Sequence, residues 1–363
     1  MADESALVLG IETSCDETGV AVVEGGSRIL SNVVASSEQF HRKFGGVVPE
    51  IASRKQVEVI SAVAQQALDE AGLVLPHVGA VAVTFAPGLV GSLVVGVCFA
   101  KAIAFAHSLP LVAVHHIEAH IYAHFLVTES QPGALRPGSG QAAVPQNGDP
   151  PFPFLALVVS GGHSDLVAVR GHGEYQVLGR TRDDAAGEAF DKGARLLGLG
   201  YPGGPAMDAA AKRGNPRAVI FPRAAISDEG PGRSKWDFSF SGVKTALARY
   251  VREVPEAKRA SVEDLAASYQ EAVVEPLVER SLAAAQTLGF ERLLVAGGVA
   301  NNSRLRALMA ERAGEAGIGV RFPPPELCTD NAAMVAAAGY FRWQRGEVAG
   351  LDLDACASAK LGI

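Results

Sequence analysis

The chain has 363 residues, enough at roughly 150 residues per domain for two domains and a large core. A balance of 32 Lys and Arg against 39 Asp and Glu leaves a net charge of -7, which excludes a uniformly basic, stand-alone nucleic-acid binder but not a local basic patch. With 48% hydrophobic residues, 20% charged residues and 40 glycines, wholesale disorder is excluded and tightly packed α/β layers are expected.

Met1 to Ser5 carries two acids and no basic residue ahead of an apolar run, so no signal peptide is expected and the protein reads as cytosolic. Leu7 to Ile11 is predicted as a buried strand, Glu12 to Thr18 as a polar turn and Val20 to Val23 as a second strand. Pro49 suits a first helical turn, and Ile51, Ile60, Val63, Ala67 and Ala71 make a helical stripe ended by Gly72. Val81 to Phe85 is predicted as a strand, Leu89 to Ala106 as a helix, Leu111 to Val114 as a strand and His116 to Leu126 as a helix. Gly91, Ser92, Gly96 and Lys101 interrupt the 89–106 run, which favours a buried helix over a membrane span.

Thr128 to Pro153 is rich in Pro, Gly, Ser and Gln without periodicity and reads as an insertion or linker between domains 1–127 and 154–327. The opening grammar then returns, with apolar Phe154 to Val159, a turn at Ser160 to Ser164, and apolar Leu166 to Val169. Helical patterns follow at 187–198, 205–213, 241–252 and 261–288, the last bent by Pro276. Leu293 to Ala296 is a strand, Asn302 opens a helix, Arg321 to Pro325 closes a short strand and loop, and a final helix starts near Asp330. That helix is expected to return to the first domain with residues 328–363. Strands alternating with helices imply mainly parallel sheets, each begun by a hairpin.

His116 and His120 are four apart in a helical pattern, so both imidazoles leave one face and suit one metal ion. Glu118 lies about 200° around the helix from each, which separates the pattern from the zinc-protease HExxH arrangement. Asp330, in Cys328 to Asn331, offers a third ligand, although a helix cap is its plain alternative. Two histidines and one carboxylate with open positions suit Fe(II), with Zn(II) a reasonable substitute. Ser160-Gly161-Gly162 offers unobstructed backbone N–H groups of the kind that cradle anions. Gly297-Gly298 lies between strand and helix, with Asn302 beyond it. Asp191 and Asp208 are candidates to face ligand hydroxyl or ammonium groups, Gly204 permitting close contact; capping is the plain alternative for the acids from Asp183 to Asp191. Asp16 and Glu17 are candidates for proton handling or for stabilising their turn. No Walker loop, Rossmann fingerprint or nucleophilic triad is evident, and the four cysteines (Cys15, Cys98, Cys328, Cys356) include no CxxC pair.

Taken in order, Gly10 to Thr18, Gly46 to Glu50, His115 to His120, Ser160 to His163, Asp183 to Lys192, Tyr201 to Pro205, Phe238 to Lys244, Gly297 to Val299 and Cys328 to Asn331 resemble the tRNA N6-adenosine threonylcarbamoyltransferase family, in its bacterial form. The resemblance implies an α/β, two-lobed actin/hexokinase-like fold with duplicated ribonuclease H-like domains around a central cleft. It implies transfer of a threonylcarbamoyl group from its adenylate to N6 of adenosine 37 in tRNAs reading codons that begin with A. His116, His120 and Asp330 match the family's metal ligands, usually iron, and Val158, Val159, Ser160, Gly161, Gly162, Asp191, Gly204, Asp208 and Asn302 its substrate-binding positions. A paralogous partner subunit and a small P-loop ATPase are implied partners, in the cytoplasm and without a membrane. A phosphotransferase or ATPase using the same cleft is the alternative activity, with a metalloprotease or a non-enzymatic scaffold behind it.

Overall fold

In the computed structural model, which describes residues 5–127, 150–223 and 234–362, the first apolar runs form an antiparallel meander of β1 (Leu7–Glu12), β2 (Glu17–Glu24) and β3 (Arg28–Ser36). A short α1 (Glu38–His41) and α2 (Pro49–Ala71) lead to β4 (Ala80–Ala86), α3 (Val90–His107), β5 (Leu111–His115) and α4 (His116–Tyr122). The strand order is β3-β2-β1-β4-β5, with β4 parallel to both β1 and β5. β1 and β2 are apolar at consecutive positions because the sheet is covered on both faces. Leu9, Ile11, Val20 and Val22 pack toward α2 and α3, while Val8, Ala21 and Val23 pack toward α4 and the last helix.

The second half repeats this plan. β6 (Phe154–Val159), β7 (Ser164–Gly171) and β8 (Glu174–Arg180) form a meander, followed by α5 (Ala186–Leu196), α6 (Gly203–Ala211), α7 (Ser241–Glu253), α8 (Val262–Leu288), β9 (Arg292–Ala296), α9 (Ser303–Ala316), β10 (Gly319–Arg321), α10 (Pro325–Cys328) and α11 (Ala332–Gln344). The order β10-β9-β6-β7-β8 mirrors the first sheet, with β9 parallel to β6 and to β10. The two matching sheets are the α/β, two-domain arrangement. α8 runs through Pro276 as one helix, capped by the Ser261 hydroxyl and ended by Gly289 at φ 74.

α4 and α11 lie between the sheets, in a core that joins Val8, Ala82 and Val114 of one to Phe154, Val158, Val167 and Leu294 of the other. α11 is rich in alanine and approaches β1 closely: a Cβ on Gly10 would stand 2.3 Å from the Ala332 carbonyl oxygen. Any side chain there costs about 1–3 kcal/mol by overpacking.

Several sequence expectations need adjustment. β3 and β8 were not anticipated, because RILSNVVAS and EYQVLGR mix polar and apolar residues on half-exposed edge strands without clean alternation. The helix expected over 116–126 ends at Tyr122 and gives way to a 3-10 turn, Ala123–Phe125. The final helix starts at Ala332, two residues beyond Asp330, as expected. α3 is long and apolar enough to span a membrane by composition, but it packs on β1, β4, β5 and α2 with Leu93, Val97 and Ala100 buried. Of the expected insertion, residues 128–149 lie outside the described residues.

A candidate metal and substrate site between the sheets

β5 ends at His115, whose Nδ1 accepts from the Ile117 N–H at 3.2 Å and so caps the start of α4. The next turn carries His116 and His120, their ring centroids 4.6 Å apart. Asn331, not Asp330, caps α11, its Oδ1 accepting from the Met334 N–H at 3.1 Å. Relieved of that duty, Asp330 turns back toward α4. Its Oδ1 lies 3.6 Å from His116 Nε2 and 3.2 Å from His120 Nε2, and one ligand atom from each residue falls within 4.8 Å of the others. Glu118 faces the opposite way, fully buried, and holds Arg342 at 2.7 Å and the Tyr175 hydroxyl at 2.9 Å.

Glu12 completes the centre. It is fully buried at the end of β1, accepts from the Ser14 N–H at 2.6 Å and the Thr84 hydroxyl at 2.8 Å, and its Oε2 meets His116 Nδ1 at 3.1 Å. A carboxylate on Nδ1 leaves Nε2 as the ligand atom, the outer-shell arrangement that fixes a metal-binding histidine's tautomer. Burial opposes charging His116, but Asp330 and Glu12 outweigh it and raise the imidazole to about 9. Burial raises the Asp330 carboxyl, but the facing histidines prevail and hold it well below the usual carboxylate range. His120 is fully buried, its pKa lowered first by that burial, and neither ring nitrogen has a partner in hydrogen-bond geometry. A buried imidazole without hydrogen bonds, convergent with a second imidazole and a carboxylate, is a donor set that fits a divalent cation.

The sequence reading missed Glu12, although an acid ending a fully apolar strand was a usable signal. It also missed Gln56, whose buried amide donates to the carbonyls of Cys15 at 3.0 Å and Glu17 at 2.9 Å. With Ser37, which donates to the Asp16 carbonyl at 2.8 Å, Gln56 fastens the 13–17 turn through its backbone. Burial first, then Asp16, raise both the Cys15 thiol and the Glu17 carboxyl.

The candidate substrate residues lie on the second sheet and the helices packed with it, on β6 and its turn, α5, α6 and the start of α9. Val158 and Val159 are buried in β6, so only their backbone can face a ligand. Gly161 and Gly162 are exposed, and a Cβ on either would meet nothing within 4 Å. The same turn carries His163, with its ring centroid 6.4 Å from that of His116; burial, reinforced by the His116 charge, lowers it to about 3. The Ser160 carbonyl accepts from the Gly187 N–H at 3.1 Å, joining the turn to α5. On α5, Asp191 accepts from the Gly203 N–H at 2.7 Å; burial raises its carboxyl against the pull of the Gly203 and Gly204 amides. Gly204 borders open space. Asp208 accepts from the Ser303 hydroxyl at 2.7 Å and pairs with Lys212 at 3.0 Å. Asn302 caps α9 through the Leu305 N–H at 2.9 Å and donates to Gln270 Oε1 at 2.7 Å.

Two of the conspicuous sequence features are structural. Gly297, at φ 90, lies against the neighbouring strand, where a Cβ would stand 2.3 Å from the Val159 carbonyl oxygen. Asp183 accepts from the N–H groups of Phe240 and Ser241 at the start of α7, and Asp184 binds Lys192 at 2.8 Å and Lys244 at 2.7 Å.

The profile of the tRNA N6-adenosine threonylcarbamoyltransferase family matches residues 28–141 and 135–337. The chain belongs to this family. A relative of that name from Symbiobacterium thermophilum is 51% identical over 357 residues, covering 98% of this chain and 97% of its own. Another from Anaeromyxobacter dehalogenans is 54% identical over 351 residues, covering 96% and 97%. Among solved structures, T. kodakarensis HypF superimposes with a TM-score of 0.56 at 15% identity, over 96% of this chain and 49% of that one. Full-length HypF in its phosphate- and nucleotide-bound form gives 0.57 at 11% identity, over 98% and 56%. The chain spans about half the length of these two structures, and at such identities the likeness is one of fold. Every threonylcarbamoyltransferase motif quoted from this sequence lies on described residues, and those at 10–18, 115–120, 160–163 and 328–331 converge on the histidine pair.

Proposed function

We propose that this chain transfers a threonylcarbamoyl group from threonylcarbamoyl-adenylate to N6 of adenosine 37 in tRNAs reading codons that begin with A. The observation that carries the reading is the convergence of His116, His120 and Asp330 beside the open 160–162 turn, in a chain of this family. The donor is a mixed anhydride with an electrophilic carbamoyl carbon. The acceptor amine is weakly nucleophilic because its lone pair is delocalised into the adenine ring, so positioning and charge stabilisation are the main requirements. N6 bonds to the carbamoyl carbon, the bond from that carbon to the phosphate oxygen breaks, AMP leaves and N6 gives up one proton.

In this reading His116, His120 and Asp330 hold one divalent ion, Fe(II) by their donor chemistry with Zn(II) as a substitute, which when bound supplies Lewis-acid polarisation. Glu12 orients His116. The amides of Gly161 and Gly162 receive the donor phosphate, and the backbone of Val158 to Ser160 lines the same wall. Asp191, Gly204, Asp208 and Asn302 border the nucleoside and threonyl groups. Asp16 and Glu17 are the carboxyls available for the released proton. The lobes comprise 1–127 with 328–363, and 154–327, with 128–153 as a connecting insertion. The net charge of -7 fits RNA affinity shared with other subunits; by resemblance to the family these are a paralogous partner and a small P-loop ATPase, in the cytoplasm.

Mass spectrometry of tRNA nucleosides from cells depleted of this protein tests the reading. Threonylcarbamoyladenosine should disappear and return with the wild-type gene but not with His120→Ala; undiminished levels after depletion refute it.

A further inference from the structure

We propose that the segment from Phe40 to Lys55 is a docking rim for the single-stranded loop of an RNA substrate, with Phe44 as a stacking platform and Lys43 and Arg54 as phosphate contacts. This rests on the function proposed above and adds the surface that receives the RNA.

The segment departs from the acidic average of the chain. Arg42, Lys43, Arg54 and Lys55 fall within 14 residues, with Phe44 among them and Phe40 two positions before; the two rings are 52% and 38% exposed. Glu38 neutralises Arg42 and Glu58 neutralises Lys55, but Lys43 and Arg54, both exposed, join no ion pair among the described residues. Glu50 stands in the first turn of α2, where it complements the helix dipole. Lys43 Nζ lies 4.9 Å from the centroid of the Phe44 ring, and Lys55 Nζ lies 4.7 Å from that of Phe40. Exposed rings beside ammonium groups suit an unpaired RNA loop, whose bases stack on aromatic faces while its phosphates take the cations.

The position of the rim makes it more than a charged surface. His41 is fully buried; its Nε2 meets the Ser37 hydroxyl at 3.0 Å, and its Nδ1 accepts from the Val48 N–H at 3.2 Å, folding 41–48 into a closed loop. Ser37 and Gln56 fasten the two ends of the segment to the 13–17 turn, whose Cys15 and Glu17 feel the Asp330 charge. On the opposite side the Gly45 carbonyl accepts from Arg195 of α5, one helical turn beyond Asp191. The rim therefore touches both halves of the chain, the 13–17 turn on one side and α5 on the other.

The test uses a reconstituted modification reaction containing the full chain, its co-purifying proteins and an anticodon stem-loop RNA. Phe44→Ala should raise KM for the RNA about tenfold with kcat within about twofold, and Phe44→Tyr should restore it. In anisotropy titrations of the labelled stem-loop, Lys43→Ala with Arg54→Ala should lower the slope of log affinity against log salt by about 1.4, two single-strand phosphate contacts. An unmoved KM and slope, a loss confined to kcat, or loss of a co-purifying protein with KM intact would each overturn the rim. A wild-type reaction that yields no modified nucleoside defeats the proposed function instead. Wild-type activity with an unmoved KM in the variants defeats the rim alone.

Discussion

Glu12→Gln should weaken the metal centre without touching a ligand. The carboxylate is fully buried and serves three donors at once: the Ser14 N–H, the Thr84 hydroxyl and His116 Nδ1. Glutamine keeps the volume but puts an amide NH2 where one of two oxygens stood. Either Ser14 then faces a donor, or His116 loses the acceptor that keeps its Nε2 free for the ion. Replacing an outer-shell partner of this kind costs about 10–100-fold in metal affinity, or about 1.4–2.7 kcal/mol. Competition of Zn(II) between the protein and a chromophoric chelator at neutral pH measures the effect, with thermal melts of the metal-free proteins as the control for folding. Glu12→Asp, which keeps the charge and shortens the reach, should fall between wild type and Glu12→Gln. If Glu12→Gln holds the ion within threefold of wild type and melts at the same temperature, His116 is not oriented by Glu12 and the account of the centre is wrong.

Arg342→Ala strands the buried Glu118 carboxylate on the back of α4 and should cost about 3–5 kcal/mol in urea unfolding, whereas Arg342→Met with Glu118→Gln should recover much of that loss. Equal stabilities for the two proteins would show that the pair does not fasten α4 to α11. Asp165 on β7 is raised to about 6 by burial, with Arg180 only partly opposing it. A carboxyl raised on folding keeps its proton longer in the native state, so the contribution of Asp165 to stability falls as pH rises from about 4 to about 6 and is level above. Asp165→Asn should stabilise the protein at pH 7 by up to about 3 kcal/mol, seen as a higher melting temperature, with the gain vanishing toward pH 4; a difference between variant and wild type that does not change from pH 4 to 6 would refute the cause given.

Much of the site was legible because its chemistry is written in short local spacings. Two histidines four apart share a helix face in any fold, and Glu118 between them is thrown to the other side by the same geometry. Gly161 and Gly162 announced an unobstructed turn, which the structure bears out with open space at both positions. Asp330 was ambiguous because a helix start offers both Asp330 and Asn331 as caps, and only the φ of -153 and the Met334 contact at Asn331 decide between them. Gln56 carried no local signal, and the signal at Glu12 named no partner, because each acts on atoms far along the chain, 104 residues away for Glu12 and His116.

By itself, the amino-acid order determined the alternation of strands and helices, the hairpin that opens each half, the imidazole pair and the glycine turn, since all follow from periodicities of two or 3.6 residues and from backbone freedom at single positions. Tertiary structure alone decided that Asp330 meets His120 across 210 positions of chain, that α11 lies on β1 at Gly10, and that Glu12 backs His116. Those contacts arise from burying the faces of α4 and α11 between two sheets, a condition on the whole packed core that no local window of sequence contains.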